Sequence, residues 1–166
     1  MGPRSSPPEP AGHGGDPQPA LDLLDATEHG LGAAGLRWLA REWPEARAAA
    51  HSSRSYAFPY ALVGWHSGRL GVDIERIVPC DERFARSICT AAEAEAAPGY
   101  DDRQIISLWC SKEALAKALG DALRYDPRRL ESPAAWPGGA AGPWRARPVA
   151  APDGHVAWVC WRSARL

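Results

Sequence analysis

The hydrophobic positions of the chain first separate two pairs of strand-like runs. Residues 60–65 and 69–75 are apolar runs joined by His66-Ser-Gly68. Two such runs joined by three residues ending in glycine are typical of a β-hairpin. Residues 144–150 and 155–161 flank Pro152-Asp-Gly154, a turn-forming sequence, and predict a second hairpin.

Helical periodicity appears before and between these hairpins. Leu36, Trp38, Leu39 and Trp43 predict a first helix within residues 31–43, which Pro44 ends. Thr90-Ala-Ala-Glu93 has the form of a capping box, in which each side chain bonds the other residue's backbone N–H. It predicts a short helix that ends at Pro98-Gly99.

A longer helix is expected to begin at Asp101 or Asp102 and to run to Leu119, with Gly120 as its stop. An apolar stripe at helical spacing defines its core face: Ile105, Leu108, Leu115 and Leu119. Together, these segments predict an α+β fold with antiparallel strands packed against helices.

Composition adds limits to this picture. The chain has 166 residues, of which 45% are hydrophobic and 23% charged, as expected for one soluble domain. Residues 1–20 hold six Pro and four Gly and are predicted to be a disordered tail, leaving 21–166 as the folded domain. The net charge of −1 argues against a broad nucleic-acid-binding face, and no apolar run is long enough to span a membrane.

The four cysteines form no CxxC pair and have no accompanying histidine cluster. Buried free thiols in a reducing cytoplasm are therefore expected rather than a zinc site or a disulfide framework, and the predicted localisation is cytoplasmic.

Two carboxylates on the second apolar run are the first candidates for chemistry. Strand alternation places Val72 and Ile74 on one face and Asp73 and Glu75 on the other. Neighbouring carboxylates repel each other unless a cation lies between them, and Mg²⁺ suits oxygen ligands. The alternative is that both side chains point into water.

The long helix carries the second group of candidates. Of the 19 Lys and Arg residues only Lys112 and Lys117 are lysines, and they lie within six positions of each other. Lys112 falls in the middle of the apolar stripe, so it either extends its ammonium to water or has an anionic partner. Glu113 and Lys117 could form an ordinary surface ion pair. With Asp73 and Glu75, these residues also compose a plausible magnesium–phosphate site.

The two motifs together resemble those of a known family. Gly71-Val-Asp-Ile-Glu75, followed by Trp109-Cys-Ser-Lys-Glu-Ala-Leu-Ala-Lys-Ala-Leu-Gly120, is similar to the paired signature of the 4'-phosphopantetheinyl transferases. The spacing looks like that of the surfactin-synthetase-activating type. The resemblance covers about residues 60–161 and implies the phosphopantetheinyl-transferase-like fold.

The resemblance implies a specific reaction and specific roles. Such enzymes transfer phosphopantetheine from coenzyme A to a serine of an apo carrier protein and release adenosine 3',5'-bisphosphate. By this match Asp73, Glu75 and Glu113 would bind Mg²⁺, and Glu113 would also be the candidate base for the serine hydroxyl. Lys112 and Lys117 would hold coenzyme A phosphates, and Lys117 would help the leaving phosphate depart.

Two departures from the family pattern concern the N-terminal part of the chain. Ser55 matches the first serine of a Ser-His-Ser motif, but Tyr56 stands where histidine is expected near the 3'-phosphate. Both are taken as coenzyme A-binding positions, and Arg54 or His51 could compensate for the missing charge. The N-terminal half is also short, so the basic residues that it normally supplies to coenzyme A would be missing. Their candidate substitutes are Arg37, Arg41 and Arg47. Alternatively, self-association completes the site.

The sequence therefore predicts a Mg²⁺-dependent holo-carrier-protein synthase serving a polyketide, nonribosomal peptide or related pathway. The main alternative is a non-catalytic family member that binds coenzyme A or a carrier protein. A third alternative is an unrelated Mg²⁺-dependent phosphoesterase.

Overall fold

The fold is an α+β arrangement of two antiparallel sheets and five α-helices, as seen in a computed structural model that describes residues 17–163. The strands are β1 (Ala20–Asp25), β2 (His51–Ala57), β3 (Tyr60–His66), β4 (Leu70–Arg76), β5 (Ala140–Ala141), β6 (Trp144–Val149) and β7 (His155–Arg162). The helices are α1 (Ala33–Arg41), α2 (Pro44–Ala48), α3 (Glu82–Ile88), α4 (Ala91–Ala96) and α5 (Asp102–Leu119). The predicted fold class is confirmed.

The seven strands form a three-stranded sheet in the order β1-β3-β2 and a four-stranded sheet in the order β4-β7-β6-β5. The predicted second hairpin is confirmed: β6 pairs with β7, and Gly154 has the positive φ of 73° that the intervening turn requires. In the same sheet Asp73 of β4 lies opposite Trp158 of β7.

The predicted first hairpin is wrong. β3 pairs with β1 and β2, whereas β4 pairs with β7 in the other sheet. The two apolar runs instead pack face to face, and a Cβ added at Gly64 would lie 2.6 Å from Val72 Cγ1. Leu62 and Val72 belong to one buried cluster. Hydrophobic alternation alone cannot separate strands that pair at their edges from strands that pack through their faces.

The predicted helix boundaries are largely confirmed. Thr90 and Glu93 form both hydrogen bonds of the capping box that starts α4. Asp101 is the N-cap of α5, and Gly120 ends it in the left-handed conformation with φ 84°. Pro44 follows the first helix, as expected, but it also begins α2 as its first residue.

Helix α5 packs across β4 and β7 and is the centre of the C-terminal core. Most of the predicted stripe is buried, including Ile105, Leu108 and Leu115. Leu119, the last residue of the helix, is 37% exposed, so its predicted core position is wrong.

The predicted disordered tail lies mainly outside the described residues, which begin at residue 17. Within the described part, Ala20 is already the first residue of β1.

Candidate active site

The site is built where β4 lies against α5. A Cβ added at Gly71 would lie 2.0 Å from the carbonyl oxygen of Ala114 and 2.8 Å from Lys117 Cβ. Only glycine therefore permits this approach of strand to helix. This close approach places the start of the strand motif, Gly71, against the last turns of the helix motif.

Asp73 is the most buried carboxylate of the site, with 2% of its surface exposed. Its Oδ1 accepts a hydrogen bond of 2.7 Å from Lys117 Nζ and another of 2.7 Å from Ser55 Oγ. Its Oδ2 is buried and has no hydrogen-bond partner among the described residues. An unsatisfied buried carboxylate oxygen is costly, and a cation is one group that would satisfy it.

Lys117 contacts strand β4 and is also partly exposed to solvent. Besides Asp73, its ammonium donates to the carbonyl oxygen of Val72 at 3.1 Å. The side chain is 24% exposed and borders a cleft of about 410 Å³ that it shares with residues 120–124. A partly exposed ammonium beside a cleft can reach an anionic ligand while it still holds Asp73.

Glu75 and Glu113 lie near this pair and are electrostatically coupled to it. Burial, followed by the charge of Asp73, raises the pKa of Glu75 to about 7, against a hydrogen bond from Trp109 that lowers it. Burial also raises the pKa of Glu113, although a hydrogen bond from the Tyr125 hydroxyl opposes the shift. Clustered carboxylates with raised pKa values are typical of functional sites.

The donor set is chemically suited to Mg²⁺, because three carboxylates share one neighbourhood and one of their oxygens is buried without a partner. Within residues 17–163, however, no three His, Cys, Asp or Glu side chains stand in a geometry ready to hold a metal ion. The structure thus brings Asp73, Glu75 and Glu113 together without closing them into a ligand cluster.

Lys112 has an anionic partner and does not extend its ammonium to water. It is completely buried, and its ammonium donates to Glu93, to the carbonyl oxygen of Ile88 at 2.6 Å and to that of Pro127 at 2.8 Å. All three N–H groups of the ammonium are therefore used within the protein. Its role in holding a coenzyme A phosphate stays a prediction, and the ammonium would have to give up one of these bonds to fulfil it.

Glu93 is a partly buried residue whose second role sequence reasoning missed. It was predicted only as a helix cap, yet it also binds Lys112, and its Oε1 accepts the Ser132 backbone N–H at 2.7 Å. Burial raises its pKa, but the hydrogen bonds from Lys112, Thr90 and Ser132 outweigh this and lower the net value. The buried lysine in the apolar stripe was the available signal, but spacing could not say which acid it meets.

Ser55 and Tyr56 lie on β2, beside the site but on opposite faces of the strand. Ser55 is buried and its hydroxyl donates to Asp73, a candidate metal ligand, and its contact with coenzyme A stays a prediction. Tyr56 is 37% exposed, and the guanidinium carbon of Arg37 lies 5.7 Å from the centre of its ring. Arg54 donates instead to the carbonyl oxygens of Ala40 and Arg41.

Two simpler alternatives are excluded by these contacts. Glu113 and Lys117 do not form an isolated surface pair, because Glu113 accepts from Tyr125 and Lys117 binds Asp73. Asp73 does not point into water either.

A cavity of about 510 Å³ between α3 and α4 is lined by none of the predicted site residues.

A family comparison matches the segment that carries most of this site. Residues 69–147 match the family model of the 4'-phosphopantetheinyl transferase superfamily. This segment of the chain is therefore similar to that superfamily. The match contains both motifs and with them Asp73, Glu75, Lys112, Glu113 and Lys117, whereas Ser55 and Tyr56 precede it.

The match supports a transferase of the phosphopantetheinyl type, with coenzyme A and a carrier protein as the general classes of partner. No curated protein matches the chain. None of the helices between residues 17 and 163 combines the length and the apolar character that a membrane span requires.

Proposed function

We propose that this phosphopantetheinyl transferase domain transfers 4'-phosphopantetheine from coenzyme A to a serine of an apo carrier protein in a Mg²⁺-dependent reaction. The observation that carries the proposal is the bond between Asp73 and Lys117, which joins the two family motifs beside two further carboxylates. The free cysteines of the described part are compatible with the predicted cytoplasmic setting.

Asp73, Glu75 and Glu113 would hold the metal. When bound, Mg²⁺ supplies charge neutralisation on the pyrophosphate of coenzyme A. Asp73 is fixed for this role by Ser55 and Lys117 and keeps one oxygen unpaired. Glu75 and Glu113 would join it as ligands, while Glu75 keeps its hydrogen bond from Trp109 and Glu113 its hydrogen bond from Tyr125.

Glu113 is the proposed general base. It accepts the proton of the carrier serine as the serine oxygen attacks the phosphorus that bears the pantetheine arm. The phosphorus–oxygen bond to adenosine 3',5'-bisphosphate then breaks. A carboxylate whose pKa is raised by burial is a better proton acceptor near neutral pH than an ordinary exposed one.

Lys117 is the proposed stabiliser of the leaving phosphate. Its ammonium is held by Asp73 and by the carbonyl oxygen of Val72, and the rest of the side chain borders an open cleft. A fixed cation stabilises the charge that develops on a departing phosphate without reorganising during the reaction.

We propose a smaller coenzyme A-binding set than the sequence predicts. Lys117 stays in it, whereas Ser55 and Lys112 are proposed to act through the protein groups they contact. Tyr56 remains a candidate because it is partly exposed, and the neighbouring Arg37 can bring the positive charge that tyrosine lacks. The surfactin-synthetase-activating type is the proposed subtype, with a carrier of a polyketide or nonribosomal peptide pathway as substrate and self-association as a further proposal.

A non-catalytic role is the second candidate, because the three carboxylates do not form a closed metal cluster in this conformation. A Glu113→Gln variant separates the two. With coenzyme A and several apo carrier proteins, we expect the wild-type chain to modify at least one carrier and Glu113→Gln to lose transfer while retaining carrier binding. A wild-type chain that binds coenzyme A and carrier without transfer would support the non-catalytic role.

A further inference from the structure

Three hydrogen bonds that involve side chains bind the segment that follows α5 back to that helix. The Tyr125 hydroxyl donates to Glu113 Oε1, Pro127 accepts from Lys112, and the Ser132 and Ser111 hydroxyls lie 2.7 Å apart. We call residues 121–132 the post-helix segment. Tyr125 makes its contact at the candidate active site, and Ser132 makes its contacts with Ser111 and Glu93.

Tyr125 is held in place by its own backbone as well as by its hydroxyl. Gly120 ends the helix in the left-handed conformation, and Tyr125 N donates to the carbonyl oxygen of Asp121 at 3.1 Å. This tight turn directs the partly buried Tyr125 ring back along the helix, with its hydroxyl on Glu113.

Lys112 supplies the anchor of the post-helix segment. It is the residue next to Glu113 on α5, and its partner Pro127 lies two residues beyond Tyr125. Lys112 is fully buried and is also bound to Glu93 and to the end of α3. Two consecutive helical residues therefore hold two nearby positions of the same segment.

We propose that Tyr125 is a positioning residue, which fixes the Glu113 carboxylate for its role in the site through a segment anchored by Lys112. The inference rests on the proposed function. The hydroxyl donates to Oε1 of Glu113 and leaves Oε2 outside this hydrogen bond. Hydrogen bonds that orient a metal-ligating carboxylate are commonly worth a factor of about 10–100 in metal affinity or activity.

The test compares Tyr125→Phe with Tyr100→Phe, a matched removal of a hydroxyl from a partly exposed tyrosine outside the site. Binding is measured by calorimetric titration with Mn²⁺ as the probe, and transfer by kcat and by KM for coenzyme A. For Tyr125→Phe we expect the Mn²⁺ Kd to rise about 10-fold or more and kcat to fall, with KM within about twofold. Tyr100→Phe should match the wild type in all three.

A double variant tests whether Tyr125 acts through Glu113. In the Glu113→Gln background, Tyr125→Phe should weaken Mn²⁺ binding no further, because the group it orients is already altered. Additive losses in the two variants would overturn the proposal. So would a folded Tyr125→Phe chain, checked by circular dichroism, with wild-type Mn²⁺ affinity and kcat.

The outcomes for this inference and for the proposed function are separable. A wild-type chain that binds Mn²⁺ but transfers nothing contradicts the proposed function alone, since the Mn²⁺ affinities of wild type and Tyr125→Phe still decide the role of Tyr125. A wild-type chain that transfers phosphopantetheine, with Tyr125→Phe indistinguishable from it, contradicts the positioning role alone.

Discussion

The Lys117 ammonium lies 2.7 Å from Asp73 Oδ1, so the last cation of the helix motif is bound directly to the first carboxylate of the strand motif. The two residues are 44 positions apart in the chain. Asp73 is almost fully buried, whereas Lys117 is partly exposed. The pair therefore stabilises the packing of β4 on α5. It also places a cation beside the cluster of Asp73, Glu75 and Glu113.

Breaking this pair should cost both stability and activity. In Lys117→Met, the buried Asp73 keeps only the Ser55 hydroxyl, and we expect a loss of about 3 kcal/mol in the free energy of unfolding. Urea unfolding measures this loss. The double variant Asp73→Asn/Lys117→Met should recover part of the stability and none of the transfer activity. Purely additive losses of stability would show that the two side chains are not coupled.

The glycine of the strand motif should be required for the approach of strand and helix. Gly71→Ala would place a methyl group 2.0 Å from the Ala114 carbonyl oxygen, and the strand would have to move away. We expect a destabilisation of about 3 kcal/mol in urea unfolding, together with loss of transfer. Gly99→Ala is the control, because nothing lies within 4 Å of its added Cβ. Equal, small effects of the two substitutions would refute the packing argument.

Lys112 should behave as a structural residue rather than a phosphate ligand. Lys112→Met leaves the partly buried Glu93 without its cation, and we expect a loss of about 3 kcal/mol in the free energy of unfolding. Adding Glu93→Gln should restore part of it. A stable Lys112→Met chain whose only defect is a higher KM for coenzyme A would instead support the role implied by the family resemblance.

Stability should depend on pH through Glu75. Its pKa is raised from 4.5 to about 7, mainly by burial and then by Asp73, so the folded chain binds more protons than the unfolded chain between these values. The metal-free free energy of unfolding should therefore fall as pH rises from about 4.5 through 7. Urea unfolding in EDTA over pH 4.5–8 measures this slope, which should be shallower in Glu75→Gln.

Mg²⁺ should reduce the fall in the free energy of unfolding with rising pH, because a cation favours the deprotonated carboxylate. The unfolding series repeated with Mg²⁺ should show the largest stabilisation at the alkaline end of the range. Identical slopes in EDTA and Mg²⁺ would indicate that Glu75 does not contribute to a metal site.

Local chemistry made much of this molecule predictable. Capping side chains, the glycine after Leu119 and the Pro-Asp-Gly turn act within a few residues, and all of them fall where expected. The alternation of Val72 with Asp73 also correctly separated the core face of β4 from its polar face.

The errors concern which distant groups meet. The partner of an apolar run, and the acid that meets a buried lysine, depend on tertiary packing that spacing does not encode. Thus β3 and β4 pack through their faces rather than forming a hairpin, and the acid that Lys112 meets is Glu93, which spacing did not single out. Tyr125 carried no sequence signal, because only the turn after α5 brings its hydroxyl to Glu113.

The most direct test of the account is the intact mass of an apo carrier protein after incubation with this chain, coenzyme A and Mg²⁺. We expect a gain equal to one phosphopantetheine group, absent in EDTA and restored by added Mg²⁺. Glu113→Gln and Lys117→Met should leave the carrier mass unchanged. No gain with any of several carriers, from a folded wild-type chain that binds coenzyme A, would contradict the account.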